Sequence, residues 1–434
     1  MDKAVILLLC PTDRDESYAS FIEALPERVL DAFNFRVANR GEGRDGLDLV
    51  KYVKTCEDIV ERENIDQVIC FTDVGASVKA ALVDKYSHLR GPSIESVGLA
   101  IHKYYTRQEL ESPEVSLKHT VVDVDTIPEG HLSDVFDIVG MPAFFKPCTG
   151  TASFGVSEIK TLRDLYEQIT QCRNVIGNRH LFEPFFCRYL NLRDYPLFAH
   201  NCAIIEELVK GAKTLTVDGF VFKRQILHRA IFENVYWKSH PSAFMGVVYP
   251  PSSDVSGETE TRLWNVFDLV VGKAVEKGFD NQFIDVEVFL KPNGDVKVME
   301  VNPRMFSQAI PLYRMCLEDG DPLVVTLDSN VGKQPKPCSW NGYHGINGYV
   351  ITFGSGKVEE LFDFEEAKKM PGDVLPRFSP GDVIGLSGAE GCNLAFVNIR
   401  EKCRKDMLKR YLDICKKLLK KKEYSPNLTV ELNL

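Results

Sequence analysis

The sequence lacks any long hydrophobic run. No apolar stretch among its 434 residues approaches the ~20 residues that a membrane-spanning helix needs. The stretch AVILLLC (residues 4–10) is followed by Pro11 and a run of charges, so it is too short for the core of a normal signal peptide. We predict that it forms a buried first strand, that the protein has no membrane partner, and that it is cytoplasmic.

The sequence also lacks an excess of positive charge and any cysteine cluster. Its formal net charge is −10 at pH 7, which provides no general attraction for nucleic acid or for anionic membranes. The 12 cysteines are scattered singly, without a Cys-x-x-Cys pair or zinc-ligand spacing, and we interpret them as small buried apolar residues. Nucleic acid is therefore not an expected partner, while a homodimer is compatible with the sequence.

Sequence signals of covalent catalysis and of dinucleotide binding are weak or absent. No Gly-x-Ser-x-Gly elbow occurs, and we interpret Cys148 as incidental to any chemistry. GEGRDG (residues 41–46) matches Gly-x-Gly-x-x-Gly, but it does not follow the first strand and it contains three charges. We interpret it as a plain loop.

The order of strand and helix patterns divides the chain into four predicted domains of an α/β protein. Residues 1–115 alternate buried strands with helices, which is typical of a Rossmann-like parallel sheet. Residues 116–214 and 215–334 form two mixed lobes, and residues 335–434 contain short strands, glycine turns and a final amphipathic helix. The predicted apolar face of that helix consists of Met407, Leu408, Tyr411, Leu412, Cys415, Leu418 and Leu419.

A β-hairpin is predicted between residues 282 and 304, QFIDVEVFLKPNGDVKVMEVNPR. Asn-Gly between two β-rich runs is a strong signal for a two-residue turn. With that turn, Glu287 lies opposite Glu300, and Asp285 lies opposite Asn302. Carboxylate and amide side chains therefore share one face of the hairpin.

This register leaves the other face of the hairpin mostly apolar. That face consists of Val286, Val288 and Leu290 opposite Val301, Met299 and Lys297. A three-residue Pro-Asn-Gly turn would instead mix carboxylates with aliphatic side chains on both faces, because a shift of one residue turns every side chain over. The apolar face therefore favours the two-residue turn.

The facing carboxylates Glu287 and Glu300 predict a metal site. Like charges directly across a sheet are destabilising, and a divalent cation relieves their repulsion. Carboxylate and amide oxygens are hard ligands that suit Mg²⁺ or Mn²⁺. Arg304, just after the second strand, fits a two-pronged contact with an anion beside the metal. The hairpin alone fits equally well a solvated outer face with no ligand.

A second segment, FFKPCTGTASFGV (residues 144–156), fits phosphate binding. It places Lys146 at the end of a strand, before a loop of small residues. Gly150, Ser153 and Gly155 would let backbone N–H groups approach phosphate oxygens closely. The segment is not a Walker A motif, because no Gly-Lys-Ser/Thr follows, and a plain turn is the alternative.

These features together resemble the ATP-grasp superfamily over residues 90–330. In order, they are Lys103 in a helix, Lys146 with its loop, IIEELVKG (residues 204–211) and the Glu-x-Asn-Pro-Arg hairpin. The layout, including the later RFSPGDVI, is most similar to that of carnosine synthase and the bacterial L-amino acid ligases. The resemblance implies an ATP-grasp fold with an N-terminal Rossmann-like domain and a C-terminal β-rich domain.

The resemblance also implies a role for each site residue. The nucleotide-binding residues would be Lys103, Lys146, Ser153, Gly155, Glu206, Glu207 and Val209. The two lysines would contact the ATP phosphates, and the backbone of the last three residues would pair with adenine. Glu287 and Glu300 would bridge Mg²⁺ ions, and Asn302 would complete one coordination shell. Arg304 and Lys146 would be catalytic and would neutralise the transferring phosphoryl group.

The implied activity is an ATP- and Mg²⁺-dependent ligation of a small-molecule carboxylate to an amine through an acyl phosphate, with amino acids or similar molecules as substrates. Two alternatives stay open: a ligase that joins an amino acid to a non-peptide metabolite, and a non-catalytic ATP-binding regulatory protein. The substrate-determining segments, residues 174–200 and 305–314, carry no readable code. Asp285, Tyr313 and Arg314 fit either a ligand contact or a structural role.

Overall fold

The computed structural model describes residues 3–12, 20–39, 47–110, 112–127, 132–150, 155–176, 181–385 and 390–426. The GEGRDG loop and Ser153 lie outside these residues. Among the helices that are described, none is both long and apolar enough to cross a membrane.

The N-terminal part of the chain contains a three-stranded parallel sheet in the order β2-β1-β3. Its strands are β1 (Ala4–Cys10), β2 (Phe33–Asn39) and β3 (Gln67–Ile69). Its helices are α1 (Glu27–Leu30), α2 (Leu49–Glu63), α3 (Asp73–Lys85), α4 (Ile94–Ile101) and α5 (Lys103–Leu110). Alternate residues of β1 enter two different cores, one on each side of the sheet, which explains its continuous apolar sequence. The predicted parallel sheet is confirmed.

The helix predicted around Lys103 is in fact two helices. Helix α4 ends at Ile101, His102 separates the two, and Lys103 is the first residue of α5 instead of lying mid-helix. The backbone N–H of Lys103 donates to the carbonyl of Cys148 at 2.9 Å. The break therefore brings Lys103 to the beginning of the predicted phosphate loop.

The next part of the chain forms a four-stranded antiparallel sheet in the order β4-β7-β5-β6. Its strands are β4 (His119–Asp123), β5 (Ala143–Pro147), β6 (Ser157–Ile159) and β7 (Cys202–Glu207). The helices here are α6 (Leu132–Val139), α7 (Leu162–Ile176) and α8 (Glu183–Tyr189). Apolar residues of α6 and α7 form one core with this sheet.

Residues 181–200 form an aromatic-rich segment that packs against the N-terminal part of the chain. Four phenylalanines of this segment are buried in the core of the N-terminal part: Phe182, Phe185, Phe186 and Phe198. The segment therefore joins the four-stranded sheet to the N-terminal part of the chain.

The largest element is an eight-stranded antiparallel sheet in the order β12-β11-β8-β9-β10-β15-β19-β17. The strands from β8 onward are β8 (Lys213–Phe222), β9 (Gln225–Trp237), β10 (His240–Tyr249), β11 (Gln282–Leu290), β12 (Val296–Asn302), β13 (Leu317–Glu318), β14 (Ser339–Trp340), β15 (His344–Thr352), β16 (Gly356–Lys357), β17 (Val374–Pro376), β18 (Val383–Ile384) and β19 (Cys392–Glu401). Short two-stranded sheets pair β13 with β14 and β16 with β18.

Helices cover both faces of the large sheet. They are α9 (Glu258–Glu276), α10 (Ile310–Cys316), α11 (Pro322–Asn330), α12 (Val358–Leu361), α13 (Phe364–Lys368) and α14 (Arg404–Leu418). Short 3₁₀ helices occur at Ser20–Ile22, Pro196–Ala199, Ser307–Ala309 and Lys422–Tyr424. All seven residues of the predicted apolar face of the last helix are buried, which confirms that face.

The large sheet crosses the predicted domain boundary between residues 334 and 335. Strand β15 pairs with β10, and β19 and β17 extend the sheet further. The C-terminal region is β-rich as expected, but its main strands belong to the sheet that carries the hairpin. Pairing with β10 gives β15 a backbone partner that it would lack in a separate domain.

We expect Gly348→Ala to destabilise the fold by about 1–3 kcal/mol, the typical cost of overpacking a core. A Cβ at this position of β15 would overlap the ring of Tyr411 on α14. That ring is held in place because its hydroxyl donates to the carbonyl of Tyr349 at 2.6 Å. Urea unfolding of wild type and variant would measure the change.

The matched control is Gly272→Ala in α9, where nothing lies within 4 Å of an added Cβ. Alanine is the better helix former, so this variant should be unchanged or slightly more stable. Equal stability of the two variants would contradict the proposed packing of α14 on β15.

Candidate active site

The hairpin of β11 and β12 places Glu287 opposite Glu300 and Asp285 opposite Asn302, as the sequence predicts. The predicted turn, however, is wrong. Lys291 donates its N–H to the carbonyl of Asp295 at 2.8 Å, which closes a three-residue Pro-Asn-Gly loop. The glycine of that loop has a φ of +85°, a conformation that glycine adopts without strain.

A β-bulge reconciles this odd-length loop with the predicted pairing at the site. The register shifts between the Glu287–Glu300 pair and the Val288–Val298 pair, so Met299 is the extra residue. On the apolar face, Val288 pairs with Val298 and Leu290 with Val296, instead of with Met299 and Lys297 as predicted. The bulge compensates for the one-residue shift that the loop introduces. The carboxylates therefore stay on one face of the hairpin and the aliphatic side chains on the other.

The two facing glutamates of the hairpin, Glu287 and Glu300, have pKa values that are shifted in opposite directions. Burial and the facing negative charge of Glu300 raise the pKa of Glu287 well above its usual range. Burial also opposes ionisation of Glu300, but the nearby ammonium of Lys103 outweighs it and lowers the pKa of Glu300. Glu300 therefore carries negative charge first, and a bound cation would favour the ionised form of Glu287.

Asn302 connects the carboxylates on this face. Its Nδ2 donates to Asp285 at 2.7 Å and to Glu287 at 3.2 Å. Asp285 is fully buried, and burial raises its pKa, although the guanidinium of Arg304 opposes this shift. The amide thus fixes the positions of two acids that would otherwise repel each other.

Lys103 lies between the hairpin and the predicted phosphate loop. Its Nζ is 2.9 Å from Glu300 and donates to the carbonyl of Gly150 at 3.0 Å. Gly150 and Gly155 have φ values of +151° and +71°, so each uses the conformational freedom that the sequence assigns to it. Lys103 is therefore positioned against both segments that are predicted to hold phosphates and metal.

Lys146 belongs to a buried ion cluster with Glu206 and Arg107. The carboxylate of Glu206 accepts from Arg107 at 2.7 Å and is 2.8 Å from the Nζ of Lys146. Burial opposes ionisation of Glu206, but Arg107 and Lys146 outweigh it and lower its pKa to about 2. Arg107 also donates to the carbonyl of Met299 at the bulge, at 2.8 Å. No sequence pattern indicates this role for Arg107, which lies within a short helix like many other arginines.

The predicted adenine-pairing residues lie at the end of β7. Glu206 pairs with strands on both sides, so its backbone belongs to the sheet, and its side chain serves the ion cluster. The N–H of Glu207 donates to the carbonyl of Lys118 at 2.9 Å. Val209 follows the strand end, in the connection to β8. Lys213 begins β8 and is 2.7 Å from the hydroxyl of Ser252.

Arg304 contacts two carboxylates. Its Nη1 is 2.5 Å from Asp285, and its Nε is 3.4 Å from Asp73 at the beginning of α3. The hydroxyl of Ser307 donates to the carbonyl of Phe71 at 2.6 Å and fixes the same two segments to each other. Asp73 was not predicted, because only the folded chain brings it to the hairpin.

Tyr313 and Arg314, whose roles stay open in the sequence, both make contacts within the chain, and Cys148, which we interpret as incidental, is buried. Tyr313 is fully buried and donates its hydroxyl to Asp218 at 2.6 Å. Arg314 pairs with Asp321 at 2.7 Å and donates to the carbonyl of Phe21. Burial raises the pKa of Cys148 well above its ordinary value, which opposes formation of a nucleophilic thiolate.

The donor set fits Mg²⁺. Glu287 and Glu300 face each other across two strands, Asn302 is adjacent, and all three offer the hard oxygen atoms that Mg²⁺ prefers. In the part of the chain that the structure describes, no group of three or more His, Cys, Asp or Glu side chains is arranged to hold a metal. The candidate site therefore depends on two carboxylates and an amide.

Comparison with known proteins identifies the central part of this architecture. Residues 139–311 match the ATP-grasp domain family. The chain contains an ATP-grasp domain. The matched segment includes Lys146, Glu206 and the hairpin, whereas Lys103, Arg107 and Asp73 precede it. No curated protein matches the chain by sequence.

Solved structures share the fold of almost the whole chain. An L-amino acid ligase from Bacillus licheniformis is 13% identical, with a TM-score of 0.71 over 96% of this chain and 98% of its own. Phosphoribosylglycinamide synthetase from Anaerococcus prevotii is 15% identical, with a TM-score of 0.64 over 96% and 99%.

A third similar structure is N5-carboxyaminoimidazole synthetase from Staphylococcus aureus complexed with ADP. It is 12% identical, with a TM-score of 0.62 over 95% of this chain and 97% of its own. At these identities, the likeness establishes a shared fold.

Proposed function

We propose that this protein is an ATP- and Mg²⁺-dependent ligase that joins a small-molecule carboxylate to an amine and releases ADP and phosphate. The observation that carries the proposal is the convergence of Glu287, Glu300 and Asn302 with Lys103 and Arg304. A protein that only binds ATP has no need of a group such as Arg304, which serves the transition state.

The known similar structures support this proposal by their names. One is a ligase, two are synthetases, and one of the synthetases holds ADP. The L-amino acid ligase supports an amino acid or a similar molecule as a substrate here. The substrate pair of this chain is part of the proposal.

Charge neutralisation is the first task of the proposed site. A Mg²⁺ ion held by Glu287, Glu300 and Asn302 would neutralise phosphate oxygens during transfer. Lys103 would hold phosphate oxygens from the side of the loop. Arg304 would stabilise the phosphoryl group as it moves to the substrate carboxylate, and its guanidinium is fixed for this by Asp285.

Lys146 would contact the phosphates from β5, with its ammonium held by Glu206. Preorganisation of this kind lowers the barrier because no reorientation is needed during the reaction.

Exclusion of water is the second task, because an acyl phosphate hydrolyses readily. By the resemblance, the loop of residues 147–155 would keep water from the phosphates, and residues 151–154 of it lie outside the described residues. The amine would then attack the acyl carbon, and phosphate would leave. No covalent enzyme intermediate is needed, in agreement with the buried, protonated thiol of Cys148.

The experiment that tests the proposal measures ADP and phosphate release with ATP and Mg²⁺. The substrates are all pairs of the 20 L-amino acids, with further amines and acids added singly. Turnover that requires one particular pair, with an amide product identified by mass spectrometry, would support the ligase. Tight ATP binding without turnover for any pair would favour a regulatory ATP-binding protein instead.

A further inference from the structure

Asp73 is the acidic residue beside the candidate site that the proposed chemistry has not yet used. It is the first residue of α3, directly after the carboxyl end of β3 in the parallel sheet. In open α/β sheets, ligands bind at this edge. The residue is 7% exposed, and the positive end of the helix dipole favours negative charge there.

One oxygen of the Asp73 carboxylate has no hydrogen-bond donor among the described residues. Its Oδ1 is buried and lies 3.4 Å from the Nε of Arg304, without a hydrogen bond between them. A buried carboxylate oxygen without a hydrogen-bond donor is costly, because the ion pair with Arg304 does not replace the hydrogen bonds that the oxygen makes to water. A ligand that supplies an N–H donor would remove this cost.

The position of Asp73 relative to Arg304 indicates which ligand that is. Arg304 lies between Asp285 on the metal hairpin and Asp73 on α3. In the proposed reaction, the acyl phosphate forms beside Arg304, and the amine must approach it from a different side. Asp73 lies beside the Nε of Arg304, whereas Asp285 of the hairpin lies beside its Nη1, so the two carboxylates contact different nitrogens of the guanidinium.

We propose that Asp73 binds the protonated amine substrate and receives its proton, an inference that rests on the proposed function above. An ammonium group offers three donors, which matches the unpaired Oδ1. The ammonium first gives one proton to Asp73, which frees the nitrogen lone pair. As the N–C bond forms, the C–O bond to phosphate breaks, and phosphate leaves with the bonding electron pair and takes up the second proton from nitrogen. Asp73 then releases its proton to solvent. The preferred amine is therefore an ammonium, as in an amino acid.

The segments around Asp73 are held firmly enough for this role. Thr72 caps α3 by accepting from the N–H of Gly75 at 3.2 Å. The Ser307–Phe71 hydrogen bond fixes the same turn to the segment after the hairpin. The amine site would consequently keep a constant distance from Arg304.

The test compares two kinds of nucleophile: the 20 L-amino acids, which carry an ammonium group, and hydroxylamine, which is largely uncharged at neutral pH. Each is supplied with ATP, Mg²⁺ and one of the 20 L-amino acids as the carboxylate substrate, and amide or hydroxamate is quantified. For Asp73→Asn, we expect the kcat/KM ratio of amino acid over hydroxylamine to fall about ten- to a hundredfold, the usual effect of losing one charge-assisted hydrogen bond. Asp73→Glu should recover part of the ratio.

Asp58→Asn, on the exposed face of α2, is the matched control and should keep the wild-type ratio. Calorimetric titration with the same amino acids gives a binding readout, and Asp73→Asn should weaken it by a similar factor. An unchanged ratio in both Asp73 variants would overturn the inference and leave the ligase intact. If wild type forms neither ADP nor hydroxamate with any panel member, the proposed function fails, and the inference fails with it.

Discussion

Glu300→Gln is expected to reduce ADP release by a factor on the order of 10³, the upper range for removing one preorganised electrostatic group from an active site. The change keeps the size of the side chain but removes the charge that ionises first in the facing pair. It also removes the ionic partner of Lys103. Steady-state ADP release at saturating ATP and Mg²⁺ would measure the loss.

Glu276→Gln is the appropriate control, because this glutamate is exposed at the end of α9 and is not one of the site residues. Its activity should equal that of wild type. If Glu300→Gln kept activity within about tenfold of wild type, the hairpin would not be a metal site, and its carboxylates would belong to a structural network.

Glu206→Gln is expected to destabilise the fold by about 3–5 kcal/mol, the usual cost of removing one partner from a buried ion cluster. Arg107 and Lys146 would remain buried without their shared counter-charge. The lowered pKa of Glu206, about 2 against an ordinary 4.5, corresponds to about 3 kcal/mol and supports this range. Urea unfolding at neutral pH would measure the loss.

The contribution of Glu206 also has a defined pH dependence. Its pKa is lower in the folded than in the unfolded state, so its stabilisation is complete above pH ~4.5 and disappears as the pH falls towards ~2. The difference in stability between wild type and Glu206→Gln should therefore shrink in acid. A difference that stays constant from neutral pH to pH ~3 would contradict the charge-based explanation.

The neighbouring Glu207→Gln variant is the control for both measurements. Glu207 is only partly buried, and its carboxylate accepts from the N–H of Lys118 at 3.0 Å. Its replacement should cost about 1 kcal/mol or less, because an amide oxygen can still accept that hydrogen bond. Equal destabilisation by the two variants would show that the ion cluster has no special role.

The part of the site that the sequence predicts is the part built from local pattern. Glu287, Glu300 and Asn302 follow from strand alternation and a hairpin signal within 23 residues (282–304), and their pairing holds in the structure. The turn type was wrong, because a loop of three residues with a bulge gives the same pairing at the site as a loop of two. The sequence pattern cannot distinguish a two-residue turn from a three-residue loop with a bulge, because both place Glu287 opposite Glu300.

The residues that sequence reasoning missed act over long separations. Arg107 is 99 residues from Glu206 and 192 from Met299, and no local pattern links them. Asp73 meets Arg304 only because the parallel sheet directs the end of β3 towards the hairpin. Lys103 was predicted from resemblance, although its place at a helix start depends on the break at His102.

The segment that matches the ATP-grasp family and the set of residues that form the site do not coincide along the chain. Residues 139–311 carry Lys146 and the hairpin, while Lys103, Arg107 and Asp73 precede this segment. If that segment alone replaced its counterpart in another ATP-grasp protein, Glu300 and Glu206 would lose Lys103 and Arg107 as their ionic partners. A chimaera should therefore keep Lys103 and Arg107 together with the hairpin that they contact, because Lys103 contacts Glu300 and Arg107 contacts Met299.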